Sequence, residues 1–383
     1  MRRRELLQGL GTVALSQMLW GCQPTSPTAL QVYLLQNALP PQLLGKARSA
    51  AQQAPNLMLK AELSSLFEQL ELWQGKQEIP WQSKLFEQLQ FWRGQPSPLS
   101  PRLVSLGDYW LAPAIEQKLI QPLDPKQLSH WSAVPPRWQA LVRRDRNGLL
   151  SPSGQVWGAP YRWGMTLMAY RPDKFKALGW TPTDWSDLWR PELKGRFSLP
   201  DQAREVIGLT LKTLGQSYNT ENPAQIKALA PQLKRLNQQV KFYDSSHYLE
   251  PLVMGDTWAA VGWSTDILPL LDQETELAVI APASGTSLWA DVWVQAANAK
   301  MSSPDNLTDL NTWINFWWQD EVAEAISRFT EGFSPLLQDF STQKGVLATL
   351  LTNNSIVEKS ELLAPLSAAA EQEFQQLWQQ MRT

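Results

Sequence analysis

Short apolar runs alternate along the chain with longer stretches of helical spacing, the pattern of strands interleaved with helices. Leu30-Gln31-Val32-Tyr33-Leu34-Leu35 is the first run, and Pro40-Pro41 closes it, which predicts a strand followed by a helix. Arg102–Leu106 predicts a buried strand ending at Gly107-Asp108, with a helix over Tyr109–Lys118 that carries Pro113 in its first turns. Trp157-Gly158-Ala159-Pro160-Tyr161-Arg162-Trp163-Gly164 is punctuated by Gly and Pro and reads as a place where the chain crosses between lobes. A strand over Met165–Tyr170 follows it. Asp184–Trp189 predicts a helix, Lys194–Leu199 a strand, and Ala203–Leu214 an amphipathic helix. Ala259–Trp263 and Asp291–Val294 are later strands, and no internal repeat is present. This order predicts an α/β architecture in which ligands sit at the carboxyl ends of strands.

Length adds a second lobe to that picture. The chain has 383 residues, whereas single cores stop growing near roughly 250–300 residues. With 43% apolar and 18% charged residues, the composition is that of a folded chain. The formal net charge is −2, and removal of residues 1–21, with Arg2, Arg3, Arg4 and Glu5, makes it −4. That balance argues against nucleic acid as a partner, because phosphate binding needs a basic surface. Twenty Trp is a high count. Most are expected in packing, and the remainder are candidates for an aromatic cage around a ligand. One Cys and two His leave no intrachain disulfide and argue against a metal site.

The first 22 residues read as an export signal. Arg2-Arg3-Arg4 precedes an apolar stretch from about Leu10 to Trp20, too short for the about 20 residues that span a bilayer. Arg3-Arg4-Glu5-Leu6-Leu7 resembles a twin-arginine signal; a general secretory signal remains the alternative. Leu19-Trp20-Gly21-Cys22 resembles the bacterial lipoprotein processing box, although Trp20 is bulkier than the small residue usual there. The expectation is lipidation of Cys22, with residues 23–28 as a polar tether to the membrane.

Several segments together resemble the periplasmic spermidine/putrescine-binding proteins of ABC uptake systems. They are Gly107-Asp108-Tyr109-Trp110, Leu119–Asp124, Trp157–Gly164, Asp184–Trp189, Leu193–Arg196, Asp201–Val206, Gly262-Trp263-Ser264 and Leu288–Asp291. They follow the family's order and span about residues 100–335. The resemblance implies a type II periplasmic binding-protein fold: two α/β lobes joined by hinge strands that close around a ligand. The expected first lobe takes residues 29–164 and about 291–335, the second 165–290 and about 336–383. The implied molecule is a monomer without cofactor that presents its loaded form to an ABC permease.

A linear polyamine needs separated carboxylates for its ammonium groups and aromatic faces for the methylenes between them. By the resemblance, Glu205 and Asp291 are the carboxylates, Trp263 and Trp289 the walls, and Tyr109 a ring on the opposite lobe. Two departures stand out. Gln202 occupies a position where the family usually has a second acid, and Leu35-Gln36-Asn37-Ala38 supplies no aromatic residue to the cage. Asp108 or Asp266 would compensate if either turned inward. A different solute stays open, an amino acid derivative or a metal complex; a carboxylated ligand would want an Arg in the cleft, with Arg162 and Arg204 as candidates. A sensor role also stays open. A hydrolase using Glu205 and Asp291 is disfavoured, since the chain has no nucleophile elbow, zinc motif or phosphate loop.

Overall fold

The computed structural model describes residues 29–75, 102–337 and 354–383, except residues 37, 274–275, 298–303 and 331. Cys22, the export signal and the tether lie outside the described residues. The main strands, in chain order, are β1 Gln31–Leu35, β2 Asn56–Lys60, β3 Arg102–Gly107, β4 Ala159–Tyr170, β5 Phe197–Leu199, β6 Phe242–Tyr243, β7 Ala259–Trp263, β8 Ala278–Ile280 and β9 Ser287–Ala296. Their order across the sheet is β2-β1-β3-β9-β4-β7-β5-β6, with β8 also paired to β4. β1 runs parallel to β2 and β3, whereas β9 is antiparallel to both β3 and β4.

Two strands tie the halves together. Ala159–Met165 of β4 pairs with β9, while Thr166–Tyr170 pairs with β7. The sequence suggested a strand only from Met165, but β4 begins at Ala159 and runs through both Pro160 and Gly164. Pro160 lacks an amide donor, and it sits where the ladder with β9 shifts register between Asp291 and Val292. Its carbonyl accepts from Trp318 Nε1 at 2.6 Å. Gly164 is required by a neighbour: a Cβ there would stand 2.2 Å from Cζ2 of Trp289.

Each half has its own apolar core. The larger holds Val32, Leu103, Val104, Leu106, Val292 and Val294. The smaller holds Met168, Phe197, Val206, Leu233 and Val261, with Phe374 and Leu377 from the helix Ala368–Met381. Much of the tryptophan is packing, since Trp185, Trp293, Trp313, Trp317 and Trp318 are fully buried. Tyr161 stacks on Trp293 with ring centroids 4.5 Å apart. Asp184–Trp189 is a 3-10 turn, Trp185–Trp189, capped by the Asp184 carboxylate, and not an α-helix. Tyr109–Lys118 likewise splits into a 3-10 turn, Asp108–Trp110, and a short helix, Leu111–Glu116.

Candidate ligand-binding site

Alternation along a strand puts residues i, i+2 and i+4 on one face. On β9 this aligns Ser287, Trp289 and Asp291; on β4, in the antiparallel sense, it aligns Thr166, Gly164 and Arg162. The register sets Trp289 opposite Gly164 and Asp291 opposite Arg162, and the Ser287 and Thr166 hydroxyls lie 2.9 Å apart. The result is a ladder of three cross-strand rungs that runs from one half of the molecule to the other. Its outer rungs are separated by about 13 Å, at ~3.3 Å per residue.

The first rung holds Glu205. This residue stands in the first turn of helix α1, Ala203–Thr213, and is buried. Its Oε2 accepts from Ser287 Oγ at 2.6 Å and from Thr166 Oγ1 at 3.1 Å. Burial raises its pKa; the two hydroxyl bonds and, more weakly, Arg204 act against that rise. Among the described residues Glu205 forms no salt bridge. The neighbouring Arg204 turns away and donates to the carbonyls of Tyr218 and Ala364 and to Oδ1 of Asn219.

The middle rung is Trp289 lying over the bare backbone of Gly164. The indole is half-buried, and its Nε1 is buried without a hydrogen-bond partner among the described residues.

The third rung differs from the expectation that Asp291 faces a ligand amine directly. Asp291 Oδ2 accepts a hydrogen bond from Arg162 Nε at 2.8 Å, and Nη2 lies 2.6 Å from the same oxygen in the ion pair. Arg162 Nη1 donates at 2.7 Å to the Ala38 carbonyl, in the loop after β1. The guanidinium carbon also lies 5.7 Å from the Trp289 ring centre, within reach of a cation–π contact. Burial works to lower the Arg162 pKa, but the Asp291 charge and its hydrogen bond carry the net shift upward.

The remaining candidates are dispersed. Asp108 is buried and accepts from the Ala290 amide at 2.9 Å, which ties the end of β3 to β9. Asp266 accepts from the Tyr248 hydroxyl at 2.8 Å. Trp263 ends β7 and meets Tyr248 edge-on, with ring centroids 6.1 Å apart. Tyr109 is 62% exposed and contacts the edge of Trp110. Gln202 is exposed at the N-cap of α1, and its side chain makes no capping bond. Sequence reasoning missed Thr166 and Ser287 and did not pair Arg162 with Asp291. The alternation Ser287-x-Trp289-x-Asp291 was the available signal for Ser287.

Among the described residues no group of three or more His, Cys, Asp or Glu could hold a metal ion. No helix there is long and apolar enough to cross a membrane.

An α/β sheet shared between two cores, with a buried acid and an indole on the strands that join them, defines a binding protein. The chain belongs to the bacterial extracellular solute-binding protein family, whose model matches residues 101–356. The spermidine/putrescine-binding periplasmic protein of Escherichia coli is 29% identical over 225 residues, which cover 59% of this chain and 60% of that protein. The putrescine-binding periplasmic protein of the same organism is 27% identical over 224 residues, 55% of this chain and 58% of that one. The matched stretch thus spans about three fifths of these relatives. In structure, the chain is similar to a spermidine/putrescine ABC transporter substrate-binding protein of Streptococcus pneumoniae, with a TM-score of 0.72 at 17% identity, covering 93% of this chain and 100% of that one. A lipoprotein of Treponema pallidum gives 0.66 at 18% identity, over 92% and 99%. The fold is the α/β periplasmic binding-protein fold.

Proposed function

We propose that this chain captures a small linear amine of the polyamine type between its two lobes and delivers it to an ABC permease. Glu205 carries the reading. It is a buried carboxylate with two hydroxyl donors and no salt bridge among the described residues, seated where the joining strands meet the second core. Burial of an unpaired charge is costly, and an ammonium arriving at Glu205 would relieve that cost. Trp289, on the same ladder, offers an aromatic face for a methylene chain. Sequence similarity to spermidine/putrescine-binding and putrescine-binding proteins supports the amine class.

A thermal-shift panel of putrescine, spermidine, N-acetylputrescine and 6-aminohexanoate tests the reading. Ligand at about 100 times its Kd stabilises the native state by about 2.7 kcal/mol, so at least one amine should raise the Tm, and Glu205→Gln should abolish the response. No response to any of the four would overturn it.

Export and anchoring belong to the same proposal. The basic and apolar start and the Leu19-Trp20-Gly21-Cys22 box support export, by a twin-arginine or general secretory route, and acylation of Cys22. A lipid there would hold the protein at the outer face of a membrane. Mass spectrometry of the exported protein should find Cys22 as the first residue, carrying fatty acyl chains. An unmodified Cys22 would contradict the anchor.

A further inference from the structure

Ligand charge can be read from the charges already inside the site. On the first-core side stand two candidate carboxylates, Asp108 and Asp291, and the second is met by an arginine from within the chain. Arg162 makes the direct contacts with Asp291. Asp108 makes no salt bridge among the described residues; its carboxylate is held by the Ala290 amide. Asp291 and Arg162 thus cancel formally, and Glu205 is the ladder acid without a salt bridge among the described residues.

We propose that Arg162 stands in for one cationic end of the ligand, so that the cleft selects a linear amine with a single ammonium at Glu205 and an oxygen acceptor at its other end. The proposal rests on the amine reading of Glu205 and narrows it. A second ammonium reaching the third rung would meet a guanidinium already hydrogen-bonded and ion-paired to Asp291 Oδ2. Like charges at such range repel strongly in a site with little water. An oxygen acceptor would be favoured instead. A guanidinium has five N–H donors; Nε donates to Asp291, Nη1 to the Ala38 carbonyl, and Nη2 makes the ion-pair contact with Asp291. Among the described residues two N–H groups are left without an acceptor, and the Trp289 Nε1, without a partner there, adds a third donor along the same ladder. Carboxylate and amide oxygens share this chemistry, as in an ω-amino acid or a mono-acylated diamine.

Calorimetric titration of the mature protein with pairs of matched length decides the matter: putrescine against 4-aminobutyrate and N-acetylputrescine, and 1,6-diaminohexane against 6-aminohexanoate. In the wild type, the singly charged amines should bind at least tenfold tighter than the diamine of the same length. A carboxylate-specific site would prefer the amino acids, and an amide-accepting one N-acetylputrescine; either supports the proposal. Arg162→Met, which unmasks Asp291, should reverse the ranking, and Arg162→Met/Asp291→Asn, which removes both charges, should bind diamines no better than the wild type. The wild-type ranking decides even if the variants fail to fold. Tighter or equal binding of diamines by the wild type overturns the role of Arg162 and leaves the amine reading standing. Silence toward every amine overturns both.

Discussion

Asp108 has its pKa pushed up to about 6 by burial, with the Ala290 amide and Arg144 pulling it down and Asp291 adding to the rise. An acid with a raised folded-state pKa contributes stability that is fully present below its unfolded value and is lost as pH rises through about 6. Asp108→Asn keeps an oxygen for the Ala290 amide and removes the ionisation. It should therefore stabilise the protein at pH 8 by up to about 3 kcal/mol, at about 1.36 kcal/mol per pKa unit, and leave it nearly unchanged at pH 4. Urea unfolding at the two pH values checks this, and a loss of stability at pH 8 would show that the charge itself is needed. Asp108 thus fits a structural acceptor better than a ligand group. Sequence brought Glu205 and Asp291 forward as the ligand carboxylates, with Asp108 as a compensating acid. It could not sort them, because what separates them is a partner in each case distant along the chain: Arg162 lies 129 positions from Asp291, and Ser287 lies 82 from Glu205.

At the scale of the element, the joining strand β4 was only half legible. Met165–Tyr170 has strand-forming composition, whereas Pro160 and Gly164 are residues that ordinarily mark a break. Both are tolerated for local reasons supplied by β9 and its neighbours. Pro160 occupies the register shift beside Val292, and Gly164 leaves room for the Trp289 ring. The shift leaves Tyr161 as an extra residue on β4, immediately before Arg162. Bulges of this kind re-aim side chains next to binding sites. Gly164→Ala would place a methyl 2.2 Å from Trp289 Cζ2 and 2.5 Å from Ser264 Oγ. Overpacking of this order costs typically about 1–3 kcal/mol, so the variant should lose stability by that amount in denaturant and bind amines more weakly, because the indole must move. An unchanged affinity would remove Trp289 from the site. Helix α1 was legible throughout, from the Gln202 cap to Thr213, because its pattern of buried Val206, Ile207, Leu209 and Leu211 is local.

The whole molecule was the most legible scale. Length required two cores, alternating strands and helices required an α/β fold, and the ordered segments around Trp110, Trp157 and Trp289 resembled one family of binding proteins. The sheet shared by β4 and β9 joins the two cores, and Glu205, the proposed ligand acid, is bonded to both of these strands. That Arg162 pairs with Asp291 could not be read from the sequence, and it is the observation on which the proposed narrowing of the ligand rests. The central claim is that a ligand ammonium binds the ionised Glu205. Burial raises the Glu205 pKa from its ordinary value, so affinity should be full at high pH and fall as pH is lowered. Calorimetric titration of the tightest amine at pH 8, on the wild type and on Glu205→Gln, measures it most directly. The account predicts a loss of at least a hundredfold in Glu205→Gln; equal affinity in the two proteins would contradict it.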